Sequence, residues 1–64
     1  MRVNGALCEG VEGMTLAQFI AEKGYDGTRV ACELNGEIVG RICRETCLLA
    51  ESDSLEIVHF VGGG

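Results

Sequence analysis

Apolar and polar residues alternate with a period of two in Val30-Ala31-Cys32-Glu33-Leu34, which puts Val30, Cys32 and Leu34 on one face of a strand. An Asn-Gly pair follows at Asn35-Gly36, and then Glu37-Ile38-Val39. Asn-Gly between two strand-like runs predicts a tight hairpin, because both central positions of a type I′ turn need positive φ. A second pair, Asn4-Gly5, predicts another hairpin, joining Arg2-Val3 to a strand over residues 6–9. Between the hairpins the period changes. Leu16, Phe19, Ile20 and Lys23 fall at i, i+3, i+4 and i+7, one side of a helix of about nine residues. Thr15 with Gln18 makes a capping box, Met14 and Phe19 are placed for a hydrophobic staple, and Gly24 suits the left-handed end. So short a helix cannot stand alone in water and must pack on the strands.

The stretch from Gly40 to Ala50 has apolar residues without a clean period. It predicts an irregular loop or single helical turn, then a short strand near Cys47–Leu49. After the polar turn Glu51-Ser52-Asp53-Ser54, a last strand is expected over residues 55–61. Leu55 and Ile57 should face the core, with Glu56, Val58 and Phe60 on the other side. One helix covers only one face of such a sheet. Val58 and Phe60 therefore sit on a face left to water or to a partner.

The chain has 64 residues, enough for one domain, with residues 1–61 as its body and 62–64 as a flexible glycine tail. A chain this short buries only about 60% of its unfolded surface, which leaves little room for a deep cleft beside the core. A carrier or binding module fits better than a self-sufficient enzyme. Ten acidic against five basic residues give a net charge of −5, which points away from nucleic acid and towards a partner with a basic surface. No apolar run approaches the roughly 20 residues of a membrane span, and no signal peptide is legible, so a cytoplasmic protein is expected.

Cysteines stand at Cys8, Cys32, Cys43 and Cys47. Their spacing matches neither a zinc half-site pair nor a plant-type iron–sulfur site, and no secretory signal argues for disulfides. They read as small, half-buried, reduced thiols, and no metal or other bound cofactor is expected.

The sequence ends in Gly62, Gly63 and Gly64. Without Cβ atoms such a segment can enter a narrow channel, and its reach is about 10 Å at 3.3–3.6 Å per residue. The only reactive group it offers is the Gly64 carboxylate. A carboxylate is a poor electrophile until activated, for example as an acyl-adenylate, after which a thiolate or persulfide can attack. The chain has no phosphate-cradling loop for that activation, so it would be the substrate of a partner that uses ATP.

Val3-Asn4-Gly5, Thr15-Leu16, the run from Leu34 to Val39, Arg41, the run from Asp53 to Val61 and the final glycines together resemble the ThiS family, the sulfur carriers of thiamin thiazole biosynthesis. The resemblance covers essentially the whole chain. It implies an α+β, ubiquitin-like β-grasp fold, a small mixed sheet packed on one main helix. It also implies a cycle: an E1-like adenylyltransferase activates Gly64, a cysteine desulfurase persulfide supplies sulfur, and thiazole synthase consumes the resulting thiocarboxylate. Gly63 and Gly64 would then be the reacting end, Gly62 its extension, and Val61, Phe60 and Val58 the partner interface. Gly40 before Arg41 departs from the proline common in relatives, residues 42–47 lack a frequent aromatic, and four cysteines are unusual. Three alternatives stay open: a sulfur carrier for molybdopterin, tRNA thiolation or cysteine synthesis; a ubiquitin-like tag; and a metal or redox module built on Cys8, Cys43, Cys47 and His59.

Overall fold

The computed structural model describes residues 1–60. In chain order it has strands β1 (Arg2–Val3) and β2 (Ala6–Leu7), helix α1 (Leu16–Glu22), strands β3 (Val30–Leu34) and β4 (Glu37–Val39), a 3-10 helix (Arg41–Glu45) and strand β5 (Ser54–His59). Among the described residues the five strands form one mixed sheet in the order β2-β1-β5-β3-β4. The N-terminal and last strands pair in parallel at its centre, and the other pairings are antiparallel. This is the β-grasp arrangement, one helix held against a mixed sheet.

Both Asn-Gly turns form as the sequence requires, with φ of 50° and 86° at Asn4-Gly5 and 52° and 86° at Asn35-Gly36. Asparagine tolerates the left-handed backbone and adds hydrogen bonds that glycine could not. The Asn4 side chain accepts from Ile57 N–H (2.8 Å) and donates to Ile57 C=O (3.3 Å). That of Asn35 accepts from Ser54 N–H and donates to Asp53, each at 2.9 Å. Each hairpin tip is thereby fastened to β5 or to the turn before it.

Helix α1 is seven residues long, two shorter than the pattern suggested. Its capping box is present: Gln18 N–H donates to Thr15 Oγ1, and Thr15 N–H donates to Gln18 Oε1. At the other end Gly24 adopts φ 81°, its N–H donates to Ala21 and that of Tyr25 to Ile20. Those two bonds make a Schellman motif and satisfy carbonyls the helix leaves open. Leu16, Phe19 and Ile20 are buried against Val30, Cys32, Leu55 and Ile57, with Met1, Val11 and Leu49 completing the core. The Lys23 ammonium lies 5.7 Å from the Phe19 ring centre, its stem over the apolar face. Met14 is partly buried against the same core.

Three boundaries differ from the sequence pattern. Strand β2 stops at Leu7 rather than Glu9, and β5 stops at His59, so Phe60 lies just beyond it. The short strand expected near Cys47–Leu49 reduces to one bridge, Leu48 with Thr15, flanked by Leu16 N–H donating to Cys47 and Leu49 N–H to Met14. A single partner segment two hydrogen bonds long supports no ladder.

Glu51 fastens the N-terminal loop. Its carboxylate accepts from Val11 N–H (2.8 Å) and Glu12 N–H (3.0 Å) and lies 3.6 Å from the N-terminal ammonium. The Glu12 and Val11 amides and that ammonium hold its carboxyl below the usual glutamate range, outweighing partial desolvation. A folded-state pKa below the unfolded one means stability present above the ordinary value, about 4.3, and lost as pH falls below it. Glu51→Gln should therefore be less stable than the parent at pH 7, and denaturant titrations should show the gap closing on acidification below pH 4.

Candidate functional site

The sheet face away from α1 carries the side chains that the core does not use. Register sets its rows: Ile38 lies across from Glu33, Glu33 from Glu56, and Ala31 from Val58. Ile38 is 78% exposed, Val58 59% and Phe60 44%. Apolar side chains and paired carboxylates thus share one open face. Glu33 opposite Glu56 is a like-charge cross-strand pair, unfavourable within the free protein and relieved by a cationic partner.

Val58, within β5, stands on this face as its alternation in the sequence requires, and Phe60 lies just past the end of β5, partly exposed. Val61, Gly62, Gly63 and Gly64 lie outside the described residues. Ile38 was not singled out by sequence reasoning, although the hairpin register at Asn35-Gly36 places it opposite Glu33 and hence outward. Phe60 is held by its backbone: its N–H donates to Arg29 C=O at 3.1 Å. One residue back, the His59 ring lies 5.4 Å from that of Tyr25, tilted by 37°. Phe60→Ala should raise the dissociation constant for a docking partner about tenfold, a typical cost of truncating an exposed interface aromatic. Its denaturation midpoint should move little, because the half-exposed ring adds little to the core. Titration calorimetry beside a urea melt separates the two.

The thiols divide by environment. Cys32 is buried on the core face of β3, and burial pushes its thiol pKa up, partly offset by the Arg44 charge, so it is a poor nucleophile at neutral pH. Cys8 and Cys47 are half-buried. Cys43 is exposed, contrary to the expectation that all four are sheltered, because the 3-10 helix turns it to solvent. Among the described residues no three of His, Cys, Asp and Glu are grouped to hold a metal ion. No described helix is long and apolar enough to cross a membrane. A shallow depression of about 330 Å³ lies between α1, the turn at Tyr25–Thr28 and the 3-10 helix, and neither Val58 nor Phe60 lines it.

The ThiS family model matches residues 1–64. The fold is similar to that of the crystal structure of the thiamine biosynthesis protein ThiS from Geobacter metallireducens, with a TM-score of 0.78, 30% identity, and coverage of 98% of this chain and 96% of the other. A solution structure of a thiamine biosynthesis protein from the same organism gives a TM-score of 0.76 at 27% identity, covering 98% and 85%. The chain is also 34% identical, over its full length, to part of a thiazole synthase of Magnetococcus marinus. It is 37% identical over 97% of its length to part of another from Paramagnetospirillum magneticum. It spans only 20% and 19% of those two relatives.

Proposed function

Because the chain belongs to the ThiS family over its whole length, we propose that it is a sulfur carrier, whose Gly64 carboxylate is adenylated and converted to a thiocarboxylate that donates sulfur for thiazole formation in thiamin biosynthesis. The whole-length family match carries this reading, since it takes in the glycine end together with the rest of the chain. The two thiazole synthases that share a similar segment support the thiazole branch over molybdopterin, tRNA thiolation or cysteine synthesis.

The chemistry needs little from the carrier. Its partner, an E1-like adenylyltransferase, joins AMP from ATP to the Gly64 carboxylate and releases pyrophosphate. A persulfide, supplied by a cysteine desulfurase, displaces AMP to give an acyl-persulfide. A second thiol then cleaves the S–S bond, leaving the thiocarboxylate on the carrier. Thiazole synthase takes that sulfur. In this cycle the carrier is a co-substrate rather than an enzyme. Its part is docking through the open face and presenting an end slender enough for several active sites in turn.

Exchange of labelled pyrophosphate into ATP tests the first step. With the adenylyltransferase present, exchange should depend on the carrier and saturate with its concentration. Equal exchange without the carrier would contradict the proposal.

A further inference from the structure

Arg44 is 6% exposed, the one charged side chain buried among the described residues. Its Nη1 donates to Gly27 C=O and its Nη2 to Val30 C=O, both at 2.8 Å. The Nε has no partner. Among the described residues no carboxylate pairs with this guanidinium, which stays ionised in proteins. Burying an ion against neutral carbonyls is costly, and an apolar side chain could fill the volume without that cost. An apolar residue could not grip two carbonyls three residues apart.

Those carbonyls bracket Arg29, whose own C=O receives the Phe60 N–H at 3.1 Å. The turn between them is organised from outside as well. Asp26 Oδ1 accepts from Thr28 N–H (2.9 Å) and Oγ1 (2.7 Å), Arg29 N–H donates to Asp26 C=O, and the two side chains pair at 3.5 Å. The exposed contacts shape the turn, and the Arg44 fork ties it to the 3-10 helix. Val30 is in register with His59, so the clamped segment is also the strand that carries the end of β5. Arg29 and Val30 thus pair with the last described residues, Phe60 and His59.

We propose that Arg44 is a positioning residue for the loaded end of the carrier: by fixing the carbonyls of Gly27 and Val30 it sets the Arg29 carbonyl, and so the backbone at Phe60 from which the chain continues to Gly64. The catalytic consequence rests on the reading of Gly64 as the adenylated group. The mechanical part does not.

Arg44→Met removes the fork while keeping most of the volume. Amide hydrogen exchange of the free protein, followed by NMR, should show Phe60 exchanging at least tenfold faster, with Cys32 and Ile57 within twofold of the parent. In carrier-dependent pyrophosphate exchange the kcat should fall at least fivefold and by more than the KM rises, because Ile38, Val58 and their acidic neighbours are untouched and only the Phe60 contact is loosened. Unchanged exchange at Phe60, equal acceleration at Cys32, or a raised KM with unchanged kcat would overturn the proposal. Should Arg44→Met fail to fold, Arg44→Lys serves: one ammonium cannot reproduce the fork, so Phe60 should exchange about threefold faster, and parental exchange there would overturn the proposal. If the parent supports no pyrophosphate exchange, the sulfur-carrier reading fails, while hydrogen exchange on the free protein still decides the role of Arg44.

Discussion

Deleting Gly63 and Gly64 should reduce sulfur loading to below about one hundredth of the parent's while leaving the thermal midpoint within about 1 °C. A hundredfold loss is some 2.7 kcal/mol of transition-state stabilisation, lost because the terminal carboxylate, now on Gly62, falls two residues short of the partner's active site. The fold should not notice. Among the described residues the core is Met1, Val11, Leu16, Phe19, Ile20, Val30, Cys32, Leu49, Leu55 and Ile57, and a glycine has no side chain to add to it. Gly64→Ala is a milder form of the same experiment: a methyl group beside the carboxylate should slow adenylation while folding stays intact. Thiocarboxylate yield measured beside a thermal melt checks both variants. A parallel fall in stability would mean that the glycines serve the fold rather than a partner's active site.

The second large effect lies in the core. Phe19 is buried on α1, facing the sheet. Truncating a buried phenylalanine costs about 3–5 kcal/mol, because transfer energy is lost and a cavity is left. At about 0.05–0.15 kcal/mol per residue, a domain of this size has only about 3–10 kcal/mol in total. Phe19→Ala should therefore leave a large fraction unfolded at 37 °C, seen as loss of the cooperative urea transition and collapse of amide dispersion. Sulfur loading would fall with it. That joint loss is the opposite signature to the glycine deletion, in which function falls alone.

Much of the fold was legible in the sequence because local rules and tertiary demands agree there. The Asn-Gly pairs set both turns. Alternation set the buried faces of β3 and β5, and the capping box and Gly24 set the ends of α1. The 40–50 segment was not legible, and the structure explains why. Ile42 is 93% exposed while Arg44, two residues on, is buried. Burial in this 3-10 helix follows what each side chain meets, a pair of carbonyls in one case and solvent in the other. Hydrophobicity therefore inverts the real pattern. Glu51 escaped notice for a related reason. Its partners are backbone amides about forty residues away, which no spacing rule reaches. At the site, the outward facing of Val58 followed from strand alternation. Ile38 could have been found from the hairpin register, whereas the Arg44 hydrogen bonds to the Gly27 and Val30 carbonyls left no sequence signal.

The functional account places the chemistry at one atom group, the Gly64 carboxylate, and makes the rest of the chain a handle that partners hold. Intact-mass spectrometry tests this most directly. After incubation with ATP, the adenylyltransferase and a persulfide donor, the protein should gain about 16 Da, as sulfur replaces one carboxylate oxygen, and the gain should vanish when Gly63 and Gly64 are deleted. No gain in the parent, or a gain that persists in the deletion variant, would contradict the account.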